Sequence, residues 1–216
     1  KALVLDHGAP INQILSRSPY AYVFLVEVEG RRMYAQTDYH RGVNAIRVLS
    51  RIVDKLPWGF YRSGCIANTG RIGGGEANTV VAPYAFLEGN IYCFEEKDRE
   101  EYIQKIEQIA EEVDKEFGSL TKISLPEEYP GAEPDLQDQV FQDLQRVYKE
   151  YGVEVEFQQE FIVSSNNCLA GKNIDSVNLG LGYKDHHTTK EELSISQLVT
   201  FSEILSDFIR KGYSQV

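Results

Sequence analysis

Alternating apolar and polar positions predict a first region of strands and helices within residues 20–125. Residues 20–29 alternate aromatic and β-branched side chains, a pattern typical of a strand. Apolar residues recur at helical spacing in 42–56 and in 98–117, which predicts two helices that each bury one face. Further strands are predicted at 60–69, 80–94 and 120–125. The order β-α-β-β-α-β is that of a ferredoxin-like unit, in which two helices cover one face of a four-stranded antiparallel sheet.

A second region follows residues 126–134, a stretch with three prolines that predicts a linker. Beyond the linker, apolar spacing predicts a helix over 135–151. The capping box Ser194-Ile-Ser-Gln opens a final helix that runs to about Arg210. Short strands are predicted at 153–157, 161–163 and 176–179. Strands that alternate with helices indicate part of a parallel sheet, so the predicted fold class is α/β (α+β), a ferredoxin-like unit plus an incomplete α/β region.

The composition is that of an ordinary globular protein, because 42% of the 216 residues are hydrophobic and 25% are charged. The formal net charge of -11 argues against nucleic acid and anionic membranes as partners, since both require a basic surface. The longest apolar run, residues 20–28, is too short to span a bilayer. We therefore expect neither a nucleic-acid partner nor a membrane partner.

The cysteines do not form a recognisable motif. Cys65, Cys93 and Cys168 are odd in number, lie far apart in the sequence and include no Cys-X-X-Cys pair. Neither a disulfide framework nor a cysteine zinc site is therefore indicated. A reducing cytoplasm is the compartment that fits this pattern best.

Potential metal ligands crowd together after the predicted strand at 176–179. Gly180 and Gly182 end that strand, and five imidazole or carboxylate side chains follow before the last helix. They are Asp185, His186, His187, Glu191 and Glu192. Imidazole and carboxylate together suit zinc, manganese or cobalt. The alternative interpretation is a solvated loop that leads into a polar helix start.

The order of residues in this segment resembles a known family. Asn-Leu-Gly, a Gly-X turn, His-Thr-Thr-X-Glu and Ile-Ser-X-X-Gln-Leu are similar to the closing segment of the aminotripeptidase (peptidase T-like) branch of the di-zinc exopeptidases. Residues 1–6, Gly42-Val-Asn-Ala-Ile and Gly70-X-Ile-X-Gly-Gly extend the similarity over nearly the whole chain. The resemblance places the last zinc ligand on His187, with His186 and Glu191 as its neighbours.

The resemblance also implies a domain organisation. Residues 1–18 would be an entry segment from the catalytic domain, 19–128 a ferredoxin-like lid and dimerisation domain, and 129–216 the C-terminal part of the catalytic domain. The resemblance implies that the complete family enzyme holds two zinc ions and releases the N-terminal residue from short peptides. A homodimer formed through the lid is expected, because an antiparallel sheet with helices on one face leaves an edge strand for pairing.

Several positions depart from the family pattern. The lid histidine falls on Tyr34, the substrate-gripping arginine on Tyr92, and the Thr-Asn pair of the lid loop on Asn78 and Thr79. Neutral phenols do not reproduce a titrating imidazole or a fixed cation. The Gly-Gly-Ser-Asp stretch that lines the family's cleft falls on residues 162–165, Ile-Val-Ser-Ser, where branched side chains replace the glycines.

The first histidine, the bridging aspartate and the paired glutamates of the family have no counterpart in the 216 residues, and we expect that something upstream of Lys1 has been removed. We therefore predict a truncated or degenerate relative, a non-catalytic dimerisation or binding module without catalytic residues or a cofactor. Tyr34, Asn78, Thr79 and Tyr92 would be remnants of substrate binding, and His187 the remnant of a metal site. The alternative is a working metal-dependent aminopeptidase for short peptides once the missing N-terminal half is present. A weaker third hypothesis is an acyl-amino-acid hydrolase or carboxypeptidase of the same superfamily.

Two other features have simpler interpretations. The glycine-rich stretch Gly70 to Gly75 contains no Gly-Lys-Ser/Thr and precedes a strand, so a hairpin turn is favoured over a phosphate loop. His7 and His40 are predicted to be surface histidines.

Overall fold

The computed structural model describes residues 1–212. The strands in this range are β1 (Ala2–His7), β2 (Gln13–Arg17), β3 (Tyr20–Glu29), β4 (Gly59–Arg62), β5 (Cys65–Gly74), β6 (Tyr84–Cys93), β7 (Leu120–Tyr129), β8 (Glu156–Gln159), β9 (Ser176–Gly180), β10 (Tyr183–Lys184) and β11 (Glu192–Leu193). The helices are α1 (Ala45–Lys55), α2 (Glu96–Phe117), α3 (Gln139–Glu150), α4 (Ser165–Ala170) and α5 (Ile195–Gly212). The chain forms two compact units, Tyr20–Tyr129 and a second unit made of Lys1–Pro19 with the described part of Pro130–Val216.

The Tyr20–Tyr129 unit is a ferredoxin-like α/β sandwich. Its antiparallel sheet has the strand order β4-β5-β6-β3-β7, and α1 and α2 pack on one face. The fold class predicted from the sequence is confirmed. The difference is a fifth strand, β4, because the predicted strand at 60–69 is broken by a turn in which Gly64 adopts a φ of 82°.

Alternate residues of β3 form the core of this unit. Phe24, Val26 and Val28 are fully buried against α1 and α2. Gly89 of β6 lies opposite Phe24, and a Cβ at this glycine would come within 2.6 Å of the Phe24 ring and of the Asn68 carbonyl oxygen. The large ring therefore requires a residue without a side chain on the neighbouring strand.

The helix ends follow local capping rules. The side chain of Asn44 accepts a hydrogen bond from the Arg47 N–H at the start of α1. Gly118 ends α2 with a φ of 68°, which is the left-handed conformation expected of a residue just beyond a helix. These caps fix where each helix meets the sheet.

A disulfide joins Cys65 to Cys93, so the expectation that no cysteines pair was wrong. The two residues are 28 positions apart in sequence, but they lie directly opposite each other on β5 and β6 with their Cα atoms 4.3 Å apart. The two cysteines are close because of the register of β5 with β6, so their spacing in the sequence does not reveal it. Cys168 is a free, exposed thiol.

The glycines at 70–74 continue β5, so the predicted hairpin turn at this position was wrong. Glycines reduce strand propensity, but pairing with β6 from Cys65 to Gly74 overrides it. Residues 126–129 also belong to a strand, β7, where a linker was predicted.

The second unit contains a mixed sheet with the order β1-β9-β2-β8. β1 runs parallel to β9 and β2 runs parallel to β8, whereas β2 and β9 are antiparallel. Side chains of α3 and α5 share one core with β2 and β9, including Phe141, Tyr148, Val177, Phe201 and Ile204.

Several elements of this unit differ from prediction. Residues 13–17 form β2, where no strand was predicted, and residues 161–163 form no strand. The short helix α4 and the ribbon of β10 and β11 carried no periodic signal, because each is too short to show one. None of the described helices is long and apolar enough to cross a bilayer.

Candidate functional site

Three of the predicted substrate-binding residues come together in the ferredoxin-like unit. Tyr34 forms an isolated bridge with Val80, and the Ala35 N–H donates to the Thr79 carbonyl oxygen at 2.8 Å. The segment that carries Tyr34 therefore runs beside the Asn78-Thr79 segment. The Tyr34 hydroxyl donates to Gln36 Oε1 at 2.9 Å, and the side chain is 49% exposed.

Tyr92 lies away from this group. It is the penultimate residue of β6, whereas the Tyr34 bridge precedes the first residue of that strand, Tyr84. Eight residues of extended chain cover roughly 27 Å. The fourth predicted substrate-binding residue is therefore not part of the same cluster.

The Tyr92 phenol is held neutral by its surroundings. Burial raises the pKa of Tyr92, and a hydrogen bond from Asn90 Nδ2 to the hydroxyl oxygen at 2.9 Å lowers it by a smaller amount. A neutral phenol offers one donor and one acceptor to a ligand. It does not supply the charged fork with which arginine binds carboxylates.

Tyr92 belongs to a row of side chains on the sheet face opposite the helices. Residues that face each other across antiparallel strands lie on the same face, and the strand register aligns one residue from each of the five strands. These are Phe60, Ile66, Tyr92, Ala21 and Tyr129. Phe60 is 77% exposed and Ala21 only 2%. The row is apolar and aromatic, and sequence spacing did not reveal it because its members come from five separate strands.

His187 lies in the loop between β10 and β11 of the second unit. Its φ of 63° is left-handed, and its N–H donates to Glu191 Oε2 at 3.1 Å. The rings of His186 and His187 meet edge to face with centroids 5.3 Å apart. Thr188 closes the loop by donating its hydroxyl to the Asp185 carbonyl oxygen at 2.7 Å. The predicted neighbours of His187, which are His186 and Glu191, thus contact it within this loop.

These residues do not fit a zinc centre by themselves. A catalytic zinc takes about three protein ligands and an open position, and a pair of zinc ions needs more. Within residues 1–212, no group of three or more His, Cys, Asp or Glu side chains is placed to hold a metal ion. His187 is exposed, and its role as the remnant of a metal site stays a prediction.

His7 is buried, so its prediction as a surface histidine was wrong; His40 is exposed as expected. His7 is 2% exposed at the end of β1, and neither ring nitrogen has a hydrogen-bond partner among the described residues. Burial lowers the pKa of His7, the carboxylate of Glu160 at 3.9 Å from Nε2 opposes this, and His186 lowers the pKa further. The neutral imidazole is therefore favoured.

Two buried asparagines organise the same unit, and sequence reasoning gave neither of them a role. Asn178 of β9 accepts from the Asp6 N–H and donates to the Asp6 carbonyl oxygen, at 2.8 and 2.9 Å. Asn167 of α4 donates to the carbonyl oxygens of Pro19 and Pro130, at 2.9 and 2.8 Å. Both residues satisfy main-chain groups that would otherwise be buried without partners. Ser164, which falls in the stretch that corresponds to the family's cleft lining, caps α4.

The ferredoxin-like unit is similar to a known class of domains. Residues 23–118 match the family described as "Peptidase dimerisation domain" (M20_dimer). This unit is therefore a relative of the dimerisation domains of M20 peptidases, and the resemblance to the aminotripeptidase branch is confirmed.

The whole chain is similar to longer bacterial proteins. It is 26% identical over 208 residues to the uncharacterized protein YqjE of Bacillus subtilis, which covers 96% of this chain and 56% of that protein. The crystal structure of aminopeptidase PepT from Bacillus cereus superimposes with a TM-score of 0.84 at 25% identity, again over 96% and 56%. A tripeptidase from Staphylococcus aureus, 22% identical, shows the same fold with a TM-score of 0.88 and the same coverage. The chain thus spans slightly more than half the length of these relatives.

Proposed function

We propose that this chain is a peptidase-type dimerisation module whose ferredoxin-like unit forms a homodimer, and that by itself it does not hydrolyse peptides. In this proposal residues 1–18, 19–128 and 129–216 are the entry segment, the lid and the closing part of a catalytic domain. The observation that carries it is a free strand edge in a unit related to peptidase dimerisation domains.

The free edge belongs to β5. β4 pairs only with residues 65–67 of β5, so residues 68–74 have no strand partner on that side within the described chain. Ile72 on this edge is 57% exposed, and Ile46 of α1, 43% exposed, lies over the end of the strand beside Gly75. An unpaired edge next to exposed apolar side chains is suited to pairing with a second copy.

The opposite edge of the sheet, β7, is protected against pairing. It carries Lys122 and Glu128 and is interrupted by Pro126, which has no N–H to donate. Charges and a proline are the usual means of preventing edge-to-edge association. The β5 edge is therefore the better surface for a homodimer.

Substituting Ile72 tests this interface. We expect Ile72→Glu to weaken the dimer about tenfold or more, because it places a charge at a desolvated edge; tenfold corresponds to about 1.4 kcal/mol. Light scattering over a dilution series measures the dissociation constant. Leu120→Glu on β7, where Leu120 is 52% exposed, is the matched control and should leave the dimer intact. A wild-type chain that stays monomeric at all concentrations, or equal effects of both substitutions, would refute the proposal.

A second function remains a candidate: metal-dependent aminopeptidase activity on short peptides when the missing N-terminal half is present. The similarity to PepT over 96% of the chain favours it. The two zinc ions implied for the complete enzyme would then need ligands from outside residues 1–212, because the described residues supply no complete set. Cleavage of a tripeptide once the missing N-terminal half is supplied would favour this function over the non-catalytic module.

We also propose a cytoplasmic location, with a short peptide as a partner if the protein is active. The odd number and wide spacing of the cysteines support this proposal, but the disulfide does not, because reducing compartments keep most thiols reduced. Alkylation of thiols before extraction, followed by mass measurement, decides the question. Finding Cys65 and Cys93 fully oxidised in the native protein would argue against a cytoplasmic location.

A further inference from the structure

Strand β5, which carries the proposed dimer edge, is weakly anchored by its side chains. Of its ten residues, Cys65 and Ala67 are buried in the core of the ferredoxin-like unit, whereas the other eight are partly or fully exposed. The neighbouring strands β3 and β6 each bury five residues. The position of β5 therefore depends more on main-chain pairing with β6 than on side-chain packing.

The part of β5 that forms the free edge, residues 68–74, contains few features that hold a strand in place. Three of these residues are glycines, which have no side chain to pack and lose more conformational entropy on ordering than other residues. The pairing with β6 is irregular between Thr69 and Arg71. Arg71 forms an ion pair with Glu88 at 3.2 Å, but the side chains are 67% and 40% exposed, and such surface pairs contribute little. Local separation of this edge from β6 therefore costs little free energy.

The disulfide anchors β5 just before the free edge begins. Cys65 is the first residue of β5, and the bond joins it to Cys93, the last residue of β6. Both cysteines are fully buried in the core of the unit. A covalent link between neighbouring strands fixes their register directly, so it restricts the separation of residues 68–74 from β6.

We propose that the disulfide is a redox switch for dimerisation: the oxidised chain holds the β5 edge in place for a second copy, and reduction releases the edge and weakens the dimer. The inference rests on the proposed homodimer through β5. A strand edge pairs with a second copy only while it is ordered, so the apparent affinity falls with the fraction of chains whose edge is ordered. By reciprocity, the dimer protects the disulfide against reduction.

A dithiol reductant supplies the chemistry of the switch. One of its thiolates attacks a sulfur of the disulfide and forms a mixed disulfide, and its second thiolate then displaces the protein sulfur. Cys65 and Cys93 end as two thiols and the reductant as a disulfide, so two electrons and two protons pass to the protein. Because both cysteines are buried, the attack requires local opening near β4, a four-residue strand that pairs with the start of β5.

The dissociation constant of the dimer in each redox state tests the switch. Light scattering over a dilution series is carried out on the full 216-residue chain with the disulfide formed and after reduction with dithiothreitol. We expect reduction to raise the dissociation constant about fivefold or more, the result if about one fifth of the reduced chains keep the edge ordered. Cys168→Ala removes the free thiol and should respond to dithiothreitol as the wild type does. The double substitution Cys65→Ala and Cys93→Ala should give the weaker dimer with and without dithiothreitol.

Hydrogen exchange separates the switch from the dimer itself. In dilute, monomeric samples, the amides of residues 68–74 that pair with β6 should exchange faster after reduction, while the amides of β3 stay protected. Equal dissociation constants in the two redox states, or unchanged exchange at 68–74, would overturn the switch and leave the homodimer intact. Loss of protection in β3 on reduction would also overturn it, because the disulfide would then hold the whole unit and not the edge. An oxidised chain that is monomeric at all concentrations would instead refute the proposed homodimer, and the switch with it.

Discussion

The environment of His7 shows how one buried side chain can make stability depend on pH. Both ring nitrogens are inaccessible and without hydrogen-bond partners among the described residues, so the charged imidazolium is penalised. The charged and titratable groups that face the ring are Glu160, His186 and Asp6. Because burial lowers the pKa of His7 below its ordinary value, the unfolded chain binds a proton more readily than the folded chain.

We expect the free energy of unfolding to fall as pH drops below about 6.5, the pKa of an unperturbed histidine. The stabilising contribution of a histidine with a lowered pKa is present above that value and is lost as pH decreases through the folded-state pKa. Urea denaturation at pH 7.5 and at pH 5.5 measures the effect. His7→Leu should reduce the pH dependence, whereas His40→Gln, at an exposed position, should retain it. An identical pH dependence in wild type and His7→Leu would show that His7 is not the responsible group.

At the scale of elements, strand register determines which residues act together. The register of β5 with β6 places Cys65 opposite Cys93 and Ile66 opposite Tyr92. The register of β4 with β5 adds Phe60 to the row that contains Ile66 and Tyr92. The periodicity of each strand could be predicted from the sequence, because alternate residues face alternate sides. The partners across the sheet could not, since they depend on turns such as the one at Gly64 that set the relative position of two strands.

Removing the disulfide should destabilise the ferredoxin-like unit. Linking two residues that are 28 positions apart restricts the unfolded chain, and the loop-entropy relation gives about 3.5 kcal/mol for a loop of this length. We expect the double substitution Cys65→Ala and Cys93→Ala to lower the free energy of unfolding by about 2–4 kcal/mol. Guanidinium denaturation under non-reducing conditions measures it. Cys168→Ala, which removes the free thiol, is the control; equal stability of the double variant and this control would contradict a disulfide in the native protein.

At the scale of the whole molecule, the chain carries one relative of a peptidase dimerisation domain and one α/β unit with an uncovered helix. The second unit has a continuous core of its own, yet α5 exposes the apolar side chains of Ile195, Val199 and Ile209. The outer edge of β1 has no strand partner within residues 1–212. The imidazole and carboxylate side chains near His187 form no group of three or more that could hold a metal ion within the described residues. The proposed dimerisation module is consistent with these features.

The catalytic prediction belongs to this scale. We expect the purified chain to release no amino acid from a tripeptide, with or without added zinc, because about three protein ligands per catalytic zinc are required and are not assembled here. Chromatographic detection of the released amino acid measures activity, and metal analysis after dialysis measures bound zinc. The His187→Ala variant is the comparison. Stoichiometric zinc and turnover that both disappear in this variant would show that the chain is a working enzyme.

The sequence by itself determined the periodic features of this protein. Apolar spacing located β3 exactly and the helices α1, α2, α3 and α5 to within a few residues, and their order predicted the ferredoxin-like unit. The resemblance to the aminotripeptidase branch rested on short motifs such as His-Thr-Thr-X-Glu, which survive in local order. Tyr34, Asn78 and Thr79 lie on neighbouring segments, but their role in substrate binding stays a prediction.

Only the tertiary structure decided which distant residues meet and which sides remain uncovered. It paired Cys65 with Cys93, buried His7, continued β5 through its glycines and left apolar side chains of α5 exposed. The physical reason is that local patterns report the repeat of a helix or strand, whereas burial and contact depend on how separate elements are placed in register and packed.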